Sequence, residues 1–229
     1  MTPPLAVDID GTLTAADRAV DPRVLPVLRE WDAPVVIATG KAFPYPVALC
    51  EVVGIEPTVI AENGGVVAVG ETDEIVFTGD PEGARAVAEA YRELGHDLGF
   101  GGMDLANRWR ETEVIVHRDA PLEPLERLAD EHGLEVVDTG FAYHVKATDV
   151  NKGVALEAVA DELGREVTEF VAVGDSENDA AMFERVGRAY AVANADERAR
   201  ATADVVLDES YGDGFLAAVD RTRDGEGTG

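Results

Sequence analysis

Short apolar runs alternate along the chain with segments of helical periodicity. The apolar runs that predict buried strands lie at residues 5–7, 34–38, 58–61 and 169–173. Between the first two runs, the apolar residues that recur at helical spacing are Val24, Leu25, Leu28 and Trp31. A strand, a helix and a second strand with continuous apolar runs favour a right-handed parallel unit. We therefore expect an α/β fold built on a parallel sheet.

The pattern changes in the middle of the chain. Helical periodicity is found at residues 81–94 and 121–132, and strand patterns at 112–117, 134–137 and 142–146. Helices beside a small antiparallel sheet are typical of an α+β unit. We expect residues 1–79 and 151–229 to form the α/β core and residues 80–150 a smaller α+β domain. A last helix is predicted at residues 215–219.

The composition adds an unusual charge. The chain has 46 acidic and 19 basic residues, a formal net charge of −27. Such a field repels nucleic acid and anionic membranes, so both are discounted as partners. The sequence has no apolar run long enough to cross a bilayer and no signal-like N-terminus, which predicts a cytoplasmic protein. The acidic, lysine-poor composition indicates a high-salt cytoplasm. The single cysteine, Cys50, excludes an internal disulfide framework and a cysteine-based zinc site.

Candidate chemistry lies at the ends of the predicted strands. The residues there are Asp8, Asp10, Thr39, Asp175 and Asp179, and Lys152 opens a predicted helix. Ligands of open α/β sheets bind at the carboxyl edge of the strands, so we expect these side chains to converge there. Two carboxylates as close as Asp8 and Asp10 repel each other unless a cation or a proton separates them. The pattern indicates a site for a divalent cation and an anion.

Structural explanations compete with this one for several of the residues. Asp8 and Asp10 could be solvated acids in a turn, Thr39 a turn hydroxyl and Asp179 a helix cap. A plain surface role is disfavoured for Lys152, because the chain has so few lysines. A calcium loop does not fit, since the glycine comes too early and a strand precedes it. An aspartic protease does not fit, because it needs a second copy of the Asp-Gly element on a β-rich chain, and the D-x-D-G element of residues 8–11 does not recur.

Several motifs, taken in order, resemble the haloacid dehalogenase superfamily of Mg²⁺-dependent phosphatases. They are D-x-D-G-T at residues 8–12, T-G at 39–40, N-K-G at 151–153 and G-D-S-x-N-D at 174–179. The resemblance extends from Leu5 to about Val206, and it is specific because the motifs occur together. It implies a Rossmann-like parallel-sheet core with helices on both faces, carrying residues 80–150 as a cap domain that selects the substrate.

The resemblance also implies catalytic roles. Asp8 is the nucleophile that attacks phosphorus and forms an aspartyl-phosphate, and Asp10 protonates the leaving alkoxide and later activates water. Thr39 and Lys152 hold the transferring phosphoryl group. The chemistry is reasonable for these residue types, because a carboxylate needs no deprotonation to act as a nucleophile at neutral pH. It can approach a phosphate dianion only if a hard cation cancels the repulsion.

Ligand-binding roles follow from the same resemblance. The implied substrate-binding residues are Thr39, Gly40, Lys152 and Asn178. The implied cofactor is Mg²⁺, and the implied metal residues are Asp8, Asp10 through its main-chain carbonyl, Asp175 and Asp179. Asn178 and Asp179 are also expected to support the acidic cluster.

The position of the cap domain in the sequence restricts the resemblance to one group within the superfamily. It lies between Thr39 and Lys152, as in superfamily members with a C2-type cap, and Glu62-Asn63-Gly64 is similar to the Cof-like, sucrose-phosphatase-like branch. The small cap is similar to that of the archaeal phosphoglycolate phosphatases, which implies hydrolysis of 2-phosphoglycolate to glycolate and phosphate. The cap cations that could meet the substrate carboxylate are Arg108, Arg110, His144 and Lys146. Lys41 replaces an arginine that is frequent in the family, which keeps the charge but loses a bidentate contact.

Other functions stay open at this point. The same superfamily contains sugar-phosphate phosphatases and phosphomutases, and a chain with this fold could also bind phospholigands without catalysis. Intact Asp8, Asp10, Lys152 and Asp175 argue against the non-catalytic alternative. The expected partner is a small phosphate monoester, and the chain is expected to act as a monomer or a homodimer.

Overall fold

The computed structural model describes residues 2–225, which form two β-sheets. The strands are β1 (Leu5–Asp8), β2 (Val35–Ala38), β3 (Thr58–Ala61), β4 (Val66–Val69), β5 (Glu74–Phe77), β6 (Val114–His117), β7 (Leu134–Asp138), β8 (Ala142–Ala147), β9 (Val171–Gly174), β10 (Arg188–Ala191) and β11 (Val205–Val206). The α-helices are α1 (Val24–Arg29), α2 (Pro44–Val53), α3 (Pro81–Glu93), α4 (Leu122–Glu131), α5 (Lys152–Glu162), α6 (Glu177–Phe183), α7 (Glu197–Thr202) and α8 (Tyr211–Arg223).

The larger sheet is mostly parallel and contains the first motif near its middle. Its strand order is β11-β10-β9-β1-β2-β3-β4-β5, and the six strands from β11 to β3 are parallel. The antiparallel hairpin of β4 and β5 extends the β3 edge. Strand β1 pairs with β2 on one side and β9 on the other, so three of the motif-bearing strands are direct neighbours. Their carboxyl ends therefore open on the same edge of the sheet.

Helices cover both faces of this sheet. In β1, Leu5 and Val7 point to one face and Ala6 to the other, as the alternation of side chains along a strand requires. The first face packs on α1, α2 and α8, with Phe215 of α8 fully buried there. The second face packs on α5, α6 and α7, where Leu156 is fully buried. Because the central strands are covered on both faces, they are apolar without interruption.

A second, three-stranded sheet lies within the middle segment of the chain. Its strand order is β6-β8-β7, and both pairings are antiparallel. Helices α3 and α4 pack on it through a separate apolar cluster that includes Val87, Tyr91, Leu125 and Val145. The buried Tyr91 hydroxyl donates a hydrogen bond to the Pro121 carbonyl at 2.7 Å, which satisfies its polar atom. The second sheet with its helices occupies the stretch for which the sequence predicts an α+β domain.

The predicted α/β class, with a parallel-dominated sheet and helices, is confirmed. The predicted closing helix was too short, because α8 extends over Tyr211–Arg223 rather than residues 215–219. Gly212 and Gly214 weaken the local helix signal in its first turn, but both are buried where a side chain would collide with Asp21 and Val192 respectively. Tertiary packing therefore overrides the low helix propensity of glycine at this end. Among residues 2–225, no helix has the length and apolar character needed to cross a bilayer.

The contact between α5 and α6 gives a test of how tightly the core holds the site. A Cβ atom at Gly153 would overlap the main-chain carbonyl of Ala181. We expect Gly153→Ala to lower the free energy of unfolding by about 1–3 kcal/mol, as overpacking does, although alanine favours a helix. Chemical denaturation measures this change.

Gly102→Ala is the matched control. Gly102 has open space around its Cβ position and no left-handed backbone, so the same substitution should change stability by less than about 0.5 kcal/mol. Equal stability of the two variants would contradict the close approach of α5 and α6.

Candidate active site

Asp8 lies at the carboxyl end of β1, with its side chain almost completely buried. Its Oδ1 accepts a hydrogen bond from Lys152 Nζ at 2.6 Å, and the same ammonium donates to Asp179 Oδ1 at 2.7 Å. The Lys152 side chain has no solvent exposure. Asp8 thus forms one buried ion cluster with two residues that follow it by more than a hundred positions in the sequence.

Local sequence explains how Lys152 reaches this position. Asn151 caps α5, since its side-chain oxygen accepts the N–H groups of Gly153 and Val154, each at 3.0 Å. The helix therefore begins with Lys152, which enters the site from the first turn. Burial alone would lower the pKa of Lys152, but the carboxylates of Asp179 and Asp8 outweigh that effect and raise it. The lysine is a permanent cation in this site.

Asp179 holds the cluster together on its other side. Its Oδ2 accepts the main-chain N–H groups of Asp175 at 3.0 Å and Ser176 at 3.1 Å, while its Oδ1 faces Lys152. Ser176 caps α6, and together with Asp179 it forms a capping box. Both carboxylate oxygens of Asp179 are thus engaged by the protein. The sequence-based alternative of a helix cap describes part of what this residue does.

Asp175 completes a group of carboxylates that could hold a metal ion. One oxygen atom each from Asp8, Asp175 and Asp179 lies within 4.8 Å of the others. The buried Oδ1 of Asp175 has no hydrogen-bond partner among residues 2–225. Burial and then the charge of Asp179 raise the pKa of Asp175 to about 7. Carboxylate oxygens, one of them without a protein partner, match the ligand preference of a hard divalent cation.

Burial and neighbouring negative charge also affect the pKa of Asp8. Burial and the charges of Asp179 and Asp175 raise its pKa, and Lys152 opposes this rise. Three carboxylates surround one ammonium, so the cluster carries excess negative charge in a poorly solvated place. A divalent cation would compensate that charge and keep Asp8 ionised.

Gly11 allows the carboxylate of Asp175 to approach the turn that follows β1. Its φ is +86°, and a Cβ atom at this position would overlap the Asp175 carboxylate. Only glycine accepts both the left-handed backbone and the close contact. The Thr14 hydroxyl accepts the Gly11 N–H at 2.9 Å and stabilises the turn. The glycine in D-x-D-G-T is therefore required by the site geometry.

Asp10 is separate from the carboxylate cluster. Its side chain is 38% exposed and pairs with Lys41 Nζ at 2.9 Å, with Arg18 at 3.8 Å. The structure thus places the two carboxylates of the motif in different surroundings, Asp8 buried against Lys152 and Asp10 at the open side. The Asp10 side chain does not lie among the groups that could hold a metal.

A cavity of about 400 Å³ lies beside the phosphate-binding candidates. Asp8, Asp10, Gly40 and Asn178 line it. Thr39 is buried behind this wall, where its hydroxyl accepts the Lys41 N–H at 3.1 Å. The structure therefore brings all the predicted site residues to the carboxyl edge of the sheet. Thr39 stabilises the loop after β2.

The cap cations proposed from the sequence separate into two groups. Arg110 and His144 line the cavity. Lys146 donates to Glu135, at 2.6 Å, and to the carbonyls of Ala147 and Val150 instead. Arg108 is exposed in the loop before β6. Their places in the folded chain, which the sequence does not give, make this distinction.

A polar network that was not predicted from the sequence reaches the cavity through Asn63. Glu62 and Asn63 follow β3 and enter the sequence-based prediction only through the resemblance to the Cof-like branch, while Glu113 has no assigned role there. All three are buried, and Asn63 contacts both Glu113 and Asn178. The signal available was that polar residues follow β3, as they follow β1, β2 and β9.

The fold and the site define a class of protein. The sequence profile of haloacid dehalogenase-like hydrolases matches residues 5–95 and 124–219 of the chain. The chain belongs to this family, and the superfamily resemblance of its motifs is confirmed.

The chain is similar to several proteins over nearly its whole length. The chain is 66% identical over 223 residues to a phosphoglycolate phosphatase of Haloarcula marismortui, with 97% of this chain and 98% of the relative covered. It is 60% identical over 224 residues to a phosphoglycolate phosphatase of Natronomonas pharaonis, covering 98% and 99%. A crystal structure from Thermoplasma acidophilum superimposes with a TM-score of 0.81 at 26% identity, covering 97% and 99%. A haloacid dehalogenase-like hydrolase from Bacteroides thetaiotaomicron, at 18% identity and a TM-score of 0.77 with 96% and 99% covered, shares the fold.

The burial of His144 gives a pH-dependent contribution to stability. Burial, and then the charges of Arg110 and Lys146, lower its pKa from 6.5 to about 3. Below pH 6.5 the unfolded chain therefore takes up a proton that the folded chain refuses, so stability falls as the pH falls. Between pH 7.5 and pH 4, His144 should contribute a loss of roughly 3 kcal/mol. Chemical denaturation across this range measures it.

His144→Gln is the comparison variant, because glutamine can donate to Glu113 but cannot take up a proton. The acidic loss of stability should be smaller in this variant by about the stated amount. Identical pH dependence in the two proteins would contradict a neutral His144 in the folded state.

Proposed function

We propose that this chain is a Mg²⁺-dependent phosphomonoester hydrolase whose substrate is 2-phosphoglycolate. The observation that carries the proposal is the buried cluster in which Lys152 bridges Asp8 and Asp179 beside Asp175. It stands at the edge where open α/β sheets bind ligands. All of its groups come from one chain.

Asp8 is the nucleophile in this proposal. One of its carboxylate oxygens attacks phosphorus, the bond from phosphorus to the ester oxygen breaks, and glycolate leaves while the phosphoryl group stays on Asp8 as an aspartyl-phosphate. Water then attacks this phosphorus, which releases phosphate and regenerates the Asp8 carboxylate. Lys152 contacts Asp8 directly, so its positive charge would act on the transferring phosphoryl oxygens as well. Main-chain N–H groups after β1 and the loop at Thr39 and Gly40 complete the anion site.

Asp10 is the general acid and base. Its position at the open side of the cavity lets it donate a proton to the leaving oxygen and later take one from water. Lys41 Nζ at 2.9 Å restricts the orientation of this carboxylate. The two aspartates of one motif thus differ in role because their surroundings differ.

Mg²⁺ is the proposed cofactor. Asp8, Asp175 and the main-chain carbonyl of Asp10 would hold it, and we assign Asp179 the task of positioning Lys152 and Asp175, since both its oxygens already accept hydrogen bonds. When bound, a divalent cation supplies charge neutralisation between the carboxylates and the phosphate dianion.

Two lines of support select 2-phosphoglycolate. Relatives 66% and 60% identical over nearly their whole length are phosphoglycolate phosphatases. The cavity that contains Asp8 is also lined by Lys41 and Arg110, cations that suit a carboxylate at the far end of a short substrate. We propose that residues 80–150 act as the cap that contributes Arg110, and that the enzyme works in the cytoplasm.

A substrate panel tests the proposed reaction. With Mg²⁺ and molar salt, kcat/KM for 2-phosphoglycolate should exceed that for hexose phosphates by at least about tenfold, since each good charge contact contributes about 1.4 kcal/mol or more. EDTA should abolish release of phosphate, and Mg²⁺ should restore it. Preference for a hexose phosphate would overturn the substrate, transfer without release of phosphate would indicate a mutase, and binding without turnover would overturn catalysis.

Asp8→Asn tests the nucleophile. The amide has the same shape but cannot attack phosphorus, so turnover should fall by at least about 10³-fold. Asp17→Asn, a substitution of an exposed residue, is the control and should keep full turnover. Circular dichroism should show that both variants are folded. An active Asp8→Asn enzyme would mean that another residue attacks phosphorus.

A further inference from the structure

The segment after β3 has an unusual backbone. Glu62 and Asn63 both have left-handed conformations, with φ of +53° and +57°. Asparagine tolerates this region, whereas glutamate is uncommon there, and such conformations persist where the surroundings impose them. Their main-chain N–H groups donate to the carbonyls of Lys41 and Thr39, at 3.0 and 3.2 Å. The segment therefore wraps around the loop that holds Thr39 and Gly40.

The side chain of Asn63 joins two walls of the cavity. Its Oδ1 accepts a hydrogen bond from Asn178 Nδ2 at 3.0 Å, on the side of helix α6. Its Nδ2 donates to Glu113 Oε2 at 3.2 Å, on the side of β6. Glu113 is an acceptor, whereas the group that Asn178 presents is a donor. Only a side chain with both an acceptor and a donor can satisfy the two partners at once.

Glu113 in turn contacts Arg110 and His144, which line the far wall of the cavity. Its side chain is completely buried, forms an ion pair with Arg110 and lies 3.1 Å from His144 Nδ1. Arg110 also donates to the Gly40 carbonyl at 3.0 Å, so the far wall reaches the phosphate-binding loop. Arg110, His144 and Asn63 all line the cavity that contains Asp8.

Glu62 attaches the same segment to the chain that precedes β6. Its carboxylate is buried and accepts hydrogen bonds from the main-chain N–H groups of Glu111 and Thr112 and from the Thr112 hydroxyl. Glu62 thus anchors the main chain at residues 111–112, and the Glu113 side chain is held by its contacts with Asn63, Arg110 and His144.

We propose that Asn63 is a positioning residue that sets substrate selectivity, and this inference rests on the function proposed above. Through Glu113 it orients Arg110 towards the carboxylate of the substrate. Through Asn178 it fixes the distance between Arg110 and the residues that bind the phosphoryl group. Asn63 touches neither Asp8 nor Lys152 in this arrangement, so it acts on the choice of substrate rather than on the attack at phosphorus.

Asn63→Asp separates the two contacts. Aspartate keeps an oxygen that can accept from Asn178, but it loses the donor and places a negative charge against Glu113. The two substrates to compare are 2-phosphoglycolate and ethyl phosphate, which has a methyl group in place of the carboxylate. We expect kcat/KM for 2-phosphoglycolate to fall at least 30-fold, mainly through KM, and kcat/KM for ethyl phosphate to change less than threefold.

Exchanging donor and acceptor tests the contact itself. In the double variant Asn63→Asp with Glu113→Gln, the amide donates to the carboxylate in the opposite direction, and the net charge of the pair is unchanged. We expect it to recover selectivity relative to the single variant. If Asn63→Asp does not fold, Asn63→Gly, which accepts a φ of +57°, replaces it, with a larger expected loss on 2-phosphoglycolate than on ethyl phosphate.

The outcomes separate this inference from the proposed function. A wild-type enzyme that hydrolyses both esters equally would overturn the proposed substrate and this inference with it. A selective wild type whose Asn63→Asp variant loses equally on both esters would overturn this inference alone, because a merely structural role predicts that result. Because Glu113→Gln also removes the charge that pairs with Arg110, the double variant is compared with both single variants, and a double variant that is less selective than either of them would also overturn it.

Discussion

Lys152 lies without solvent exposure between Asp8 and Asp179, and the rest of the site depends on this pair of contacts. Burying any one of these charges alone would cost several kcal/mol, so each residue requires the others. The cluster also explains the order of the surrounding elements. Asp8 ends a central strand, Lys152 begins α5 and Asp179 lies in the first turns of α6. The strand and the two helices therefore end or begin where the charged residue that each carries meets an opposite charge.

Excess negative charge is the second constraint. Asp8, Asp175 and Asp179 face a single ammonium, in a chain whose formal net charge is −27. At long range this field repels an anionic substrate, so attraction has to arise within the cavity. Lys41 and Arg110 line that cavity, and the cluster fits a divalent cation. With a divalent cation bound beside these side chains, the local charge would oppose the negative field of the whole molecule.

The polar contacts between the two sheets are the third constraint on the site. Glu62 accepts hydrogen bonds from the chain at Glu111 and Thr112, and Arg110 donates to Gly40 in the opposite direction. Buried charged groups satisfied by main-chain partners hold a precise geometry better than exposed ion pairs, which contribute little. The wall of the cavity that faces Asp8 is consequently fixed by polar contacts rather than by apolar packing.

The sequence by itself determined the α/β class, the strands that carry Asp8, Thr39 and Asp175, and the family, because apolar runs and motif spacing are local properties. It could not determine that Asp10 turns away from the carboxylate cluster, since that depends on a lysine beyond the next strand. Only the tertiary structure separated Arg110 from Lys146 and revealed Asn63 as a link between two walls. Contacts between residues distant in sequence are set by how the sheets and helices pack, and no local pattern records them.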